Sequence, residues 1–448
     1  MGIFGAMTTA ISGLNSQSFA LENISGNIAN SRTTGFKRVD TSFVDMVPDL
    51  PPRRERSGSV SAFSRNTASI GGDIADSQIK TNMGITGEGF FVVKAKTGDA
   101  AGAPLFAGKQ MYTRRGDFDL DRNGYLVNGA GYYLMGFPID PVTGAVTAST
   151  PGMLRVSNNN LPARATTTVE YNANLPKYPL TTNANPLVPN SELLTGALYT
   201  GATIAAADET PFLNMTIAGQ SVTVYDSAGS PVNVQMRWGK TTNTAPETWS
   251  LYYMSDSNAV GPAAKWTRVA NNVQFNASGQ LTSPPGGVIT GTYTVNGVTT
   301  GSINLNFSSN GLTQFADPNG QMRPNRITQD GYPTGSLEDV AVSDGGKVVG
   351  SYSNGQTVAL AEVPLAQFAS DNQLKRGDGG VFEETLESGQ ALIGSAGRAI
   401  VGSSTEQSNA DIADEFSKMI VTQQAYSANT RVLTTAQSMM QDVMNIIR

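Results

Sequence analysis

Residues 409–448 read NADIADEFSKMIVTQQAYSANTRVLTTAQSMMQDVMNIIR, forty positions without Gly or Pro. Every seventh residue from Ile412 is apolar or aromatic: Ile412, Met419, Tyr426, Leu433, Met440 and Ile447. Phe416 and Met444 fall on the alternate positions of that seam, which Gln423, Thr430 and Gln437 interrupt. The pattern predicts one long amphipathic helix with coiled-coil habits. Asn409 or Ser408 is placed to cap it, with Asp411, Asp414 and Glu415 in the positive first turns. At 1.5 Å per residue it would run about 55–60 Å, too long to fold back into one small domain. Between Met419 and Gln441 the one charged residue is Arg431, whereas a solvated helix face alternates Lys and Glu. Neutral polar side chains all round predict a helix touched by other chains on several sides. A C-terminal helix docked on its own domain is the plainer alternative.

The other end of the chain has the same character. Met7, Leu14, Leu21 and Ile28 recur every seven residues, with Ile3, Phe4, Ile11 and Ile24 beside them. Glu22 is the one charged residue between Met1 and Ser31. Two charge-poor heptad helices that cannot bury themselves predict a protein that assembles with copies of itself.

The composition agrees with extensive protein contact. Charged residues are 15% of the 448, against about 25% in an ordinary soluble chain. Gly is 48 of 448, which with scarce charge predicts a turn-rich β interior. The net charge of −6 and the isolation of Arg53-Arg54-Glu55-Arg56 argue against nucleic acid. The chain has no Cys and no His, which excludes disulfides, thiolate nucleophiles, His-ligated zinc and the commonest general base. No catalytic residue, cofactor or metal is therefore expected. The first basic residue is Arg32, so a basic leader is lacking, and no apolar run reaches membrane-spanning length. The chain is expected to stay in the cytosol or to leave without a cleavable signal.

Between the helices the pattern turns to strands. Asn30 and Gly35 suit a helix stop and a turn, and residues 31–75, with Pro48, Pro51 and Pro52, read as an extended connector. Gly84 to Val93 is a Gly-rich turn feeding a buried strand. Tyr112 to Val127 reads as strand, Asn123-Gly124 turn, strand. From about residue 165 the chain is richer in Thr, Ser and Asn. There Ser221–Gly229 with Val232–Trp238 predicts a hairpin, and Ser250–Met254 and Tyr293–Val298 predict strands. Val348–Tyr352, Val358–Val363 and Ala366–Ala369 predict further strands before a Gly- and Ser-rich stretch returns to the last helix. The expected class is α+β and multidomain: long terminal helices in a coiled-coil-like layer, plus two mostly antiparallel β domains, the second inserted in the first. The expected divisions are 1–30 with 408–448, the connector 31–75, a β domain at 76–165 with 320–407, and the insert 166–319.

Asp119-x-Asp121-x-Asn123-Gly124 matches the first half of a calcium loop, but its twelfth position is Ala130 and its flanks read as strands. A hairpin turn is the better reading. Gly84, Gly87 and Gly89 lack the spacing and the following helix of a dinucleotide fingerprint.

Several motifs converge on one family. Asn27-Ile28-Ala29-Asn30 with Thr34-Gly35-Phe36-Lys37 resembles the N-terminal signature of the bacterial flagellar rod and hook proteins. Gly87-Glu88-Gly89-Phe90-Phe91 resembles the turn of their first β segment, and Ala425-Tyr426-Ser427-Ala428-Asn429 their C-terminal helix. Val224–Gly229, Gln329–Tyr332 and the length resemble the hook members. The resemblance implies a structural subunit that polymerises into a curved, flexible tube, transmits torque from rod to filament and encloses the export channel. It implies export through the flagellar type III apparatus, and rod, hook-cap and hook–filament junction proteins as partners. It also implies that the helices, with Met7, Leu14, Leu21, Ile28 and the 412–447 seam, line the channel, while the insert faces outward. No nucleic acid or membrane insertion is expected. Alternatives are a distal rod or junction protein, or a secreted β-rich adhesin, which would need an acidic or aromatic cleft.

Overall fold

The computed structural model describes residues 3–46, 59–100, 102–196, 201–395, 397 and 399–446. Ile447 lies outside them, as does the middle of the connector, 47–58. Two compact units form: 1–159 with 337–352 and 356–448, and 160–336 with 353–355.

In the first unit the N-terminal helix, Ile3–Ala29, and the C-terminal helix, Ile412–Ile446, pack antiparallel. Asn27 Nδ2 donates to Glu415 Oε2 at 2.9 Å, and Gly13, fourteen residues earlier, abuts Asn429, fourteen residues later. The buried stripe of the N-terminal helix is Ala10, Gly13, Ser16, Ala20, Ile24 and Asn27. Its small side chains let the backbones approach closely. The last helix is capped by Asp411, whose Oδ1 accepts the Ala413 N–H at 2.7 Å, and not by Asn409 or Ser408 as the sequence predicted. Asn409 is occupied elsewhere, accepting the Arg38 N–H through Oδ1 at 2.7 Å.

The connector is not a lone extended chain. Val39–Met46 and Ser59–Asn66 pair as an antiparallel ribbon against the N-terminal helix. Ser12 Oγ donates to the Val60 carbonyl at 2.6 Å, and the Val60 N–H donates back to Ser12 Oγ at 2.8 Å. The helix hydroxyls thus satisfy backbone groups that a free extended segment would leave to water.

The rest of this unit is a largely antiparallel sheet mixing strands from both sides of residues 160–336. Phe90–Ala100 lies between Tyr132–Pro138 and Met111–Thr113, and Leu337–Ser343, Lys347–Tyr352 and Thr357–Glu362 extend the order beyond Tyr132–Pro138. Phe91, Phe118, Leu126, Leu134, Val348 and Ile400 close its core. The stretch at 377–404 contributes short strands of its own, Val381–Glu383, Leu392–Ser395 and Ile400–Gly402. Asn123-Gly124 makes the expected turn, with Phe118 opposite Asn128 and Leu120 opposite Leu126. Asp121 Oδ1 accepts the N–H groups of Asn123 and Tyr125 at 2.9 and 2.8 Å, so that carboxylate serves the turn.

The second unit packs a sheet centred on Thr168–Pro176 with a meander of Met236–Thr242, Glu247–Met254 and Ala264–Phe275. Arg323–Gln329 pairs with Thr168–Pro176, so the inserted β structure runs past the expected limit of 319. The 221–238 hairpin is shorter than predicted. Val222–Tyr225 pairs with Pro231–Val234, and the chain then leaves for the meander at Met236. Residues 293–298 are not one strand but the two sides of a hairpin, Val288–Val295 and Val298–Asn306, turned by Asn296-Gly297.

Candidate assembly helices and their junction

The C-terminal helix turns one face to its partner: Glu415, Met419, Thr422, Ala425, Asn429, Leu433, Ala436 and Met440 are buried or half-buried. Of the predicted seam, Met419, Leu433 and Met440 lie on that face, while Ile412, Phe416 and Tyr426 are exposed. The other flank is also apolar and open, with Val421 65%, Val432 49% and Met439 54% exposed. At 100° per residue these two groups fall on opposite sides of the paired face. On the N-terminal helix Met7, Leu14, Leu21 and Ile28 are half-buried, one step off the small-residue stripe, and Phe4 is 73% exposed. Sequence periodicity found the helices but could not choose among their faces, because apolar residues occupy more than one.

The signature residues gather where the helices meet the β sheet. Asn27 is buried. Besides its bond to Glu415, its side chain both accepts the Val39 N–H and donates to the Val39 carbonyl, each at 2.9 Å. Asn30 Nδ2 donates to the Gly26 carbonyl and Oδ1 accepts the Thr33 hydroxyl, closing the helix end. Thr34 is half-buried. Gly35 has φ +65°, and a Cβ there would stand 2.7 Å from the Arg114 carbonyl group. No other residue type fits both demands. The Phe36 ring stacks under the Arg376 guanidinium, 5.0 Å from the ring centre.

Lys37 is fully buried and bonds Glu406 Oε1 and the Ile70 carbonyl. Burial holds its ammonium below the usual lysine range, against the raising pull of Glu406. Gly89, buried, lets the chain pass Leu365, and Phe90 and Phe91 are fully buried. Phe90 contacts Phe382 and the Arg114 guanidinium, whereas Phe91 meets Phe118 edge-on at 5.6 Å. The sequence reading missed Arg114, Arg376 and Glu406, which are scattered along the chain with no local pattern to mark them.

The described residues hold no helix long and apolar enough to cross a membrane. The three Trp of the insert, which an adhesin's aromatic cleft would expose, are 0%, 0% and 3% exposed at 238, 249 and 266.

Comparison with known proteins gives matches along the chain. Residues 7–37 match the flagella basal body rod protein family, and 84–169 the flagellar hook protein FlgE/F/G D1 domain. Residues 200–332 match the flagellar basal body protein FlaE D2 domain, and 402–446 the C-terminal region of the flagellar basal body rod FlgEFG proteins. The flagellar hook protein of Brucella suis is 30% identical over 454 residues, spanning 100% of both chains. That of Escherichia coli K12 is 30% identical over 454 residues, spanning 98% of this chain and 100% of its own. A solved Helicobacter pylori flagellar hook protein is 14% identical at a TM-score of 0.47, covering 74% of this chain and 99% of its own, too loose a likeness to build on. Full-length likeness to these structural proteins, together with rod-type patterns at both ends, leads to one conclusion: the chain belongs to the flagellar hook protein family, as a structural subunit of the hook.

Proposed function

We propose that the two terminal helices form the inner, coiled layer of a tube and line the export channel. In this reading the first unit's β sheet forms the wall, the ribbon at 39–66 braces neighbouring copies, and the second unit faces outward. The tube bends as copies slide, and it carries torque from rod to filament. Rod, hook-cap and junction proteins meet its ends, and subunits arrive through the export apparatus. The observation that carries this is the C-terminal helix, apolar and open on both flanks of its paired face. Burying exposed apolar area is favourable by about 25 cal/mol per Å², and in this reading neighbouring copies supply the cover. The neutral polar residues along the same helix suit a wall past which unfolded chains slide without electrostatic capture. The test is electron microscopy of concentrated protein. Tubes from the intact chain, and none from one carrying Val421→Asn with Met439→Asn, support the reading; equal tube growth from both rejects it.

A further inference from the structure

We infer that Lys37, Arg114 and Glu406 form a latch between the two ends of the chain, which cannot close until residue 406 is present. The three side chains are 1%, 0% and 0% exposed. Glu406 Oε1 accepts from Lys37 Nζ and from the Gly72 N–H at 2.8 Å, and Oε2 accepts from Arg114 Nη1 at 3.3 Å. The Glu406 carbonyl accepts the Gly35 N–H at 2.8 Å. Lys37 donates onward to Ile70 O and Arg114 to Gly87 O, at 2.6 and 2.7 Å. One residue therefore draws together the helix exit, the end of the connector and the first β segment.

Within ion-pair distance the charges do not balance: two cations share one carboxylate, and Asp371 reaches Arg114 only through its longer-range charge. Remove either cation and an ion pair remains; remove the carboxylate and two buried cations are left facing each other, the costliest arrangement. Lys37 and Glu406 are 369 positions apart, and every other group of the latch precedes Glu406 in the chain. A chain made from its N-terminus holds both cations long before their counter-charge. The C-terminal helix begins six residues after Glu406, at Ile412, so closure delivers that helix to its partner. The latch thus forms only once the chain has been made through Glu406. It is internal to one copy and stands whether or not the helices line a tube.

The test is native-state amide exchange on the full-length chain, read at Gly35, Gly72 and Asn409 and, as reference, in strand Glu247–Met254 of the second unit. Glu406→Gln should raise opening at the junction about a hundredfold or more. Lys37→Met and Arg114→Met should each raise it less. Lys37→Met combined with Glu406→Gln should be no worse than Glu406→Gln alone, because it removes one of the two stranded cations. The reference strand should not change. Equal effects of the three single variants, additive effects in the double, or fast exchange at Gly35 in the unaltered chain would overturn the latch. If Glu406→Gln does not fold, the other two single variants decide: protected Gly35 amides in both support it, and open ones in both reject it.

Discussion

The second unit and the C-terminal helix treat the same kind of residue in opposite ways. In the second unit Trp238, Trp249, Phe275 and Phe307 are wholly buried, and Trp238 Nε1 still finds the Tyr171 hydroxyl at 3.1 Å. Burial pushes that hydroxyl's pKa up to about 12. In the helix, Val421 and Met444 stand 65% and 67% exposed. Two sheets stacked face to face hide both inner faces from water within one chain. A long helix with apolar residues on three sides and one partner helix cannot. One region buries its apolar residues within a single copy; the other leaves many of them open.

That contrast can be broken at its strongest point first. Trp238→Ala should cost the second unit about 3–5 kcal/mol, read by chemical denaturation, while amide protection at Asn27 and Val39 in the first unit persists. Simultaneous loss in both would mean that the two are not independent. Next comes Gly35→Ala, which forces a side chain into the Arg114 backbone at positive φ. It should destabilise the first unit by about 2–3 kcal/mol, and an unchanged melting curve would deny the junction its role.

A smaller effect follows from Lys37. Its folded-state pKa is lowered from 10.5, chiefly by burial, with Glu406 opposing and Arg114 adding to the fall. Between that lowered value and 10.5 the unfolded chain binds more protons, so stability should rise with pH across the window. Measured as the difference between the natural chain and Lys37→Met, the gain should favour the natural chain as pH climbs. A flat difference would mean that Lys37 titrates normally. The smallest effect on the single chain should come from Val421→Asn with Met439→Asn. Stability should stay within about 0.5 kcal/mol while sedimentation shows polymer lost; a large stability loss would mean that these residues serve the fold.

A further cut would sharpen the comparison from the other side. Leu161 and Gly335 exchange backbone hydrogen bonds at 2.7 and 3.1 Å, so residues 162–334 leave from and return to one point. Excising them and joining the ends should leave a chain that still forms tubes, straighter than the original, as seen by electron microscopy. Complete failure to assemble would give the second unit more than a curvature role.

Much of this was legible in the residues. The helices at 3–29 and 412–446, the Asn123-Gly124 turn and the Phe90–Val93 strand each follow from periodicity or turn chemistry within a short window. The second hairpin turn, Asn296-Gly297, is equally legible, but Val295 and Val298 continue the apolar pattern on either side and make the stretch look like one strand. Arg323–Gln329 gave no signal of its own, being a mostly exposed strand that gains its place from Thr168–Pro176.

By itself the chain's order of residues determined that both ends are charge-poor helices, that β structure lies between them, and that His and Cys chemistry is absent. Those properties depend on neighbours a few positions away. Only the tertiary structure decided which helix face is covered, that Asp411 is the cap, and that Lys37, Arg114 and Glu406 share one buried site. Each of these depends on groups brought together across tens to hundreds of residues, and the cost of burying a charge without a partner then fixes the arrangement.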